Sequence, residues 1–207
     1  MSERLKTNWV GWATPGSYTW HVPVNVKWIK GLIIGGGGGG GGGSASYGGG
    51  SGGTGAIIAF QSPVTPGESL SITVGAGGAG GNGGSSPTNG NNGGTSAINF
   101  NDNSSLQAAG GGGGGAGSST AGGSAGGGAL SFENILRPML FSSLSGNTGN
   151  AGSSSTGGDW TKPPIVNNWF NGFSDVQYGI GMGGAGGSLN ENGYAGINGV
   201  VFIWWEE

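Results

Sequence analysis

Apolar and polar residues alternate in short stretches of this chain, and each stretch stops at proline or runs into glycine. Ser17-Tyr18-Thr19-Trp20-His21-Val22 puts Tyr18, Trp20 and Val22 on one face of a strand, which Pro23 ends. Residues 24–34 form a second β-rich run that feeds directly into Gly35. Residues 56–60 predict a third strand, followed by turn chemistry at Pro63, Pro66 and Gly67. Leu70-Ser71-Ile72-Thr73-Val74 alternates cleanly and again leads into glycine. Residues 96–100 predict a fifth strand, with a turn at Asn101-Asp102-Asn103, and residues 199–205 predict a terminal one. The strands at the two ends of the chain are expected to share one sheet system, since each is an exposed edge if left unpaired.

Two segments break this pattern. Residues 130–144 are apolar, and the spacing of Leu136, Leu140 and Leu144 by four predicts a short helix. Pro138 confines such a helix to one side of it or kinks it. Residues 159–179 carry Trp160, Trp169, Phe170, Phe173 and Tyr178 among Asn, Pro and Asp.

Between the strands lies glycine, 56 of 207 residues, with nine in a row at 35–43 and six at 110–115. Glycine loses the most backbone freedom on ordering, so the tracts are either flexible linkers or a conformation that only glycine permits. Disordered chains are rich in charge and poor in aromatics, whereas charged residues are 7% here and there are eight Trp. Order is therefore expected. The glycine-only conformation is the polyglycine II helix, with the extended geometry of polyproline II and no internal hydrogen bonds. Its amides and carbonyls point sideways and must pair with neighbouring rods. Segments 35–43, 48–55, 75–84, 110–117, 122–128 and 181–187 are the candidate rods, and the first would span roughly 28 Å at about 3.1 Å per residue. No strict period runs through them, which excludes collagen. The expected fold is mainly β and irregular: a small antiparallel β-sandwich merging into a bundle of polyglycine II helices with distal aromatic loops. It divides into an N-terminal attachment segment, 1–14, and one domain, 15–207, with insertions at 129–145 and 159–180.

Charge and chemistry narrow the function. The net charge is −3 and no arginine lies between Arg4 and Arg137, which disfavours nucleic acid. Cysteine is missing, which excludes disulfides and thiolate metal sites. The start lacks the apolar stretch of a secretory leader, and no run reaches the ~18–20 apolar residues that span a bilayer, so no membrane insertion is expected. His21 is the only histidine and has no partner base or ligand cluster in the sequence pattern. The nine acidic residues are scattered. Glycine fingerprints of nucleotide sites occur here by composition alone, without a strand–turn–helix unit around them. No enzyme, no cofactor and no metal site is expected. The aromatic insertions mix stiff contact area with adaptable amides, as binding loops do. Trp160, Trp169, Phe170, Phe173, Tyr178, Phe132 and Phe141 are the candidate receptor-binding residues, with burial against the bundle as the structural alternative.

Three stretches carry a family resemblance. They are Tyr18-Thr19-Trp20-His21-Val22-Pro23 with the strand ending Gly31-Leu32-Ile33-Ile34 at poly-glycine, the run from Val64 to Gly78, and the ending Gly196-Ile197-Asn198-Gly199-Val200-Val201-Phe202-Ile203-Trp204-Trp205. Together they resemble the glycine-rich tip domains of bacteriophage tail fibres. The resemblance covers about residues 15–128 and 181–207. It implies a viral receptor-binding protein, an adhesin at the virion's tail-fibre tip. Its distal loops would touch a bacterial surface receptor, either a lipopolysaccharide glycan or an outer-membrane protein. The chain departs from long-tail-fibre adhesins in having only about 15 residues before the first strand in place of a sizeable attachment domain. A separate tip subunit joined to other fibre subunits, or a self-assembling trimer, is expected. The rival readings are an ice-binding polyglycine II bundle and a passive structural glycine-rich protein; irregular fillers argue against the first, aromatic loops against the second.

Overall fold

The computed structural model describes residues 7–129, 131–162 and 180–206. Among these there is no helix; ten strands form two antiparallel five-stranded sheets. The strands are β1 (Thr7–Trp12), β2 (Gly16–His21), β3 (Trp28–Ile34), β4 (Ile57–Pro63), β5 (Ser69–Val74), β6 (Ser96–Asn99), β7 (Ser105–Ala108), β8 (Ser131–Asn134), β9 (Leu140–Leu144) and β10 (Val200–Glu206). The first sheet has the order β1-β10-β3-β4-β9 and the second β2-β5-β6-β7-β8.

The alternation sets the inner faces. Leu70, Ile72 and Val74 of β5 are buried while Ser69 and Ser71 are exposed. They join Ile98 and Leu106 of the second sheet against Ile29, Ile33, Ile58, Phe60, Val201 and Ile203 of the first, forming one core. Where β3, β4 and β10 read as unbroken apolar runs, the outer face of the first sheet holds a second buried cluster of Leu32, Ile34, Ile57, Ala59 and Val200.

The last strand is interior: β10 lies between β1 and β3. The expected association of the chain's ends therefore holds for β1, β3 and β10, while β2 belongs to the opposite sheet. Residues 7–12, inside the segment 1–14 set apart above, are β1. Residues 24–27 are not strand. The amide of Val26 donates to the carbonyl of Pro23 at 3.0 Å, closing a turn that sends Val22 and Val26 into the core. The short helix expected from Leu136, Leu140 and Leu144 is absent. β8 adds to β7 at the edge of the second sheet and β9 to β4 at the edge of the first, so this segment bridges the sheets. A spacing of four also fits a two-residue period. Proline at 138 and two open sheet edges decide between the readings.

The glycine-rich segments extend from one end of the sandwich and hydrogen-bond to one another. Segment 35–43 donates Gly35, Gly38 and Gly41 to Ala56, Gly53 and Gly50. It donates Gly36, Gly39 and Gly42 to Gly94, Asn91 and Thr88, and Gly37, Gly40 and Gly43 to Ile197, Tyr194 and Glu191. Each third amide thus goes to the same antiparallel neighbour. Its carbonyls accept from three parallel neighbours: Gly36 from Gly111, Gly37 from Gly78 and Gly38 from Gly184, each repeating after three residues. Segment 35–43 therefore has six neighbours: 48–55, 75–84, 88–94, 110–117, 181–188 and 191–199. Segment 48–55 also has six: 35–43, 110–117, 122–128, 146–152, 156–161 and 181–188. The eight outer segments pass their own bonds around a closed ring.

Four of these segments, 88–94, 146–152, 156–161 and 191–199, are not among the six expected. Three of them do follow a period of three: Gly90 and Gly93; Gly146, Gly149 and Gly152; Gly193, Gly196 and Gly199. In these three segments the glycines are the residues packed against carbonyls of the two central segments or of Ile34, where a Cβ would overlap, while the positions between them carry side chains.

Candidate functional site

At the end of the bundle away from the sandwich, successive segments are joined by short polar turns at 44–47, 84–87, 118–121, 153–156 and 188–191. Three share one construction. Ser44, Ser118 and Ser153 each donate their amide to the carbonyl three residues on, at 2.8 Å in all three. Each Oγ accepts from the amides two and three residues ahead: Ser46 and Tyr47, Thr120 and Ala121, Ser155 and Thr156. The serine side chain does the work of a backbone carbonyl and lets the chain reverse with other residue types in between. Ser44 closes the central segment and also donates its Oγ to the carbonyl of Ser118 at 2.6 Å, tying two turns together. Ala45, Ser46, Ser85, Ser86, Ser119, Thr120, Ser154 and Ser155 are exposed. The sequence signal for this end was present, since serine clusters between glycine tracts mark turns.

The aromatic candidates lie elsewhere. Trp160 is on the flank of the bundle, next to the Thr161–Gly183 bridge, with its ring 5.6 Å from that of Tyr194. Both rings are partly exposed. Tyr194, not singled out from the sequence, sits in segment 191–199 and donates its amide to Ala185 at 2.8 Å. Phe141 is in β9 opposite Phe60, and Phe132 is in β8 opposite Gln107, so these two belong to different sheets at the sandwich end. Trp169, Phe170, Phe173 and Tyr178 lie outside the described residues. The structure therefore joins Trp160 to Tyr194 and separates it from Phe132 and Phe141. The expected distal position is corrected for Trp160, Phe132 and Phe141. The distal end carries small polar turns, because a tight reversal between packed segments leaves room for few large side chains.

The loop from β8 to β9 is held by charge. Arg137 Nε donates to Asp102 at 2.8 Å and Nη1 to Glu68 at 3.0 Å, and its guanidinium lies 4.3 Å from the centre of the Phe100 ring. The hydrogen bond from Arg137 holds the Asp102 carboxyl down at about 2, against the opposing effect of burial. For Arg137, burial works toward a lower value, and the bonds to Asp102 and Glu68 outweigh it and raise it. One guanidinium binds both carboxylates, and the cluster serves as a structural clasp. His21, exposed on β2, pairs its Nδ1 with Ser69 Oγ at 2.9 Å.

Among the described residues, no cluster of three or more His, Cys, Asp or Glu side chains is placed to hold a metal ion. A family model described as a glycine-rich domain matches residues 13–200. Comparison with curated proteins gives no match.

Proposed function

We propose that this chain, which belongs to the glycine-rich domain family, is a non-catalytic receptor-binding module projecting short turns from a rigid bundle of polyglycine II helices. The three-residue repeat of amide donation, each amide turning to a different neighbour, is the periodicity of that helix.

The observation that carries the reading is the separation of scaffold from surface. Segments 35–43 and 48–55 direct their amides and carbonyls to neighbouring segments. The turn residues between the ring segments are mostly exposed and make few lattice bonds. Such a scaffold tolerates change at its tip, as binding loops on rigid frameworks do. The strand-to-polyglycine junctions that resemble bacteriophage tail-fibre tips support a place at the end of a virion fibre. The partner would then be a bacterial surface receptor, a lipopolysaccharide glycan or an outer-membrane protein.

The test is adsorption of labelled protein to intact bacterial cells, with isolated lipopolysaccharide and reconstituted outer-membrane proteins as competitors. Tyr47→Ala with Leu189→Ala at the tip, or Trp160→Ala with Tyr194→Ala on the flank, should weaken adsorption at least about tenfold with unchanged melting. Adsorption that neither pair alters, or no adsorption to any cell tested, would remove this reading.

A further inference from the structure

The outer face of the first sheet carries an ordered row of side chains across all five strands. Register places Trp9 opposite Trp204, Trp204 opposite Lys30, Lys30 opposite Gln61, and Gln61 opposite Leu140. The next residue outward on this face of β3 is Trp28, which is 52% exposed. Around Trp28 the surface sinks into an open groove of about 370 Å³ lined by Asn25, Lys27, Lys30, Gln61, Trp204 and Glu206. That volume is at the small end of ligand pockets.

Three properties of the groove restrict what fits it. First, it holds two of the four cationic side chains among the described residues, Lys27, Lys30, Arg137 and Lys162. Both ion pairs among the described residues belong to Arg137, so neither groove lysine is neutralised in that way. On a chain of net charge −3 this is a local positive site. Second, β3, β4 and β10 each have a strand partner on both sides, and the β10–β3 pairing runs only to Trp204 opposite Lys30, so the groove opens where those two strands part. A peptide cannot add to them as a further strand, because strand addition needs an open edge. The surface there chiefly offers side chains. Third, those side chains are indole, carboxamide and ammonium, exposed at Asn25, Lys27 and Trp28 and half-buried at Lys30, Gln61 and Trp204. An indole gives a flat, rigid apolar plate. The carboxamides of Asn25 and Gln61 each supply both donors and an acceptor. The lysines supply mobile point charges.

We propose that this groove binds a saccharide bearing an acid group: a pyranose ring lying on Trp28, its hydroxyls paired with Gln61 and Asn25, its carboxylate or phosphate between Lys27 and Lys30. A sugar ring has an apolar C–H face to lay on the indole and hydroxyls at its rim, which matches this mixture. The acid group accounts for the paired lysines. Glu206, also in the lining, disfavours an anion beside it and so orients the acid group toward the lysines. The site is at the sandwich end, opposite the turns, and stands independently of the receptor reading above.

Titration calorimetry of the intact chain tests this with tri-galacturonic acid, a trimannoside ending in mannose 6-phosphate, and the neutral trimers of both sugars. One or both acidic probes should bind, at least about tenfold tighter than their neutral counterparts. Trp28→Ala and Lys27→Gln with Lys30→Gln should each reduce that binding at least about tenfold, and raised salt should weaken it. Melting temperature should stay unchanged, since Lys27 and Trp28 are exposed, and Tyr47→Ala with Leu189→Ala should leave saccharide binding intact. The arms separate a carboxylate source from a phosphate source. Equal binding of neutral and acidic sugars, no binding of either acidic probe, or binding that survives both groove variants would each overturn the proposal.

Discussion

The amide of Gly38 donates to the carbonyl of Gly53 at 2.9 Å, across two segments that run in opposite directions at the centre of the bundle. This approach leaves no room for a side chain. A Cβ on Gly38 would overlap the carbonyl of Gly112, a third segment. Gly127, on the ring, has nothing within 4 Å of where its Cβ would stand. Gly38→Val should therefore destabilise by about 1–3 kcal/mol or more, the range for overpacking a core. Gly127→Ala should be neutral or stabilise by about 0.4–1 kcal/mol, by restricting the unfolded chain. Guanidinium unfolding of the two variants checks this; a Gly38→Val midpoint equal to wild type would refute the packed lattice.

Arg137 should be the most sensitive charge. Its side chain is 10% exposed and that of Glu68 2%. Arg137→Ala leaves the Glu68 carboxylate buried without its cation, and breaking such a pair costs about 3–5 kcal/mol. Arg137→Lys should recover only part, since one ammonium cannot reach Glu68, Asp102 and Asn101 as the fork does. Thermal melting at neutral pH reads both.

The same clasp fixes a pH dependence. The Asp102 carboxyl is lowered from 3.8 to about 2 in the fold. A lowered carboxyl contributes stability that is present above its unfolded value and is lost as pH falls through its folded one. Stability should fall between pH 3.8 and about 2. Asp102→Asn should flatten that part of the profile while lowering stability at neutral pH. Unfolding midpoints measured across this range decide; an unaltered slope in the variant would show that Asp102 is not the titrating group.

Ser44 and Ser153 build the same turn in different surroundings. Ser44 is 7% exposed and its Oγ bonds two amides and the carbonyl of Ser118, whereas Ser153 is exposed. Ser44→Ala strands partly buried groups, among them the carbonyl of Ser118, and should cost about 1–3 kcal/mol. Ser153→Ala exposes its amides to water and should cost about 0.5–1.5 kcal/mol. Equal losses in chemical denaturation would mean that burial at this end contributes nothing.

Four Asn-Gly pairs should resist deamidation while the protein is folded. The reaction needs the glycine nitrogen to attack the asparagine side-chain carbonyl carbon and expel ammonia. The amides of Gly90, Gly93, Gly193 and Gly199 instead donate to Gly114, Gly111, Gly81 and Gly75. Asn89, Asn92, Asn192 and Asn198 are held as Oδ1 acceptors from Ala116, Gly113, Gly83 and Gly77. Peptide mapping by mass spectrometry should find conversion at these positions at least about tenfold slower in native buffer than in denaturant, because local opening must come first. Equal rates would place these segments outside the ordered lattice.

The sequence by itself determined the strand faces, the need for a lattice and the poverty of reactive chemistry. Leu70, Ile72 and Val74 could face only one way, since a strand's side chains alternate. Nine consecutive glycines could be ordered only by backbone bonds to neighbours, because they have nothing else to bond with. Tertiary structure alone decided the rest. Residues 88–94, 146–152 and 191–199 carry glycine at one position in three, and locally Asn89-Gly90 reads as a tight turn. They become lattice members because segments 35–43 and 48–55 present unpaired amides and carbonyls that those residues satisfy. Residues 131–144 became two edge strands because β4 and β7 each offered an open side. The row from Trp9 to Leu140 unites residues 131 positions apart in the chain. No local pattern encodes it, since register between strands is set by which apolar sets must meet in the core, and the outer face follows from that choice.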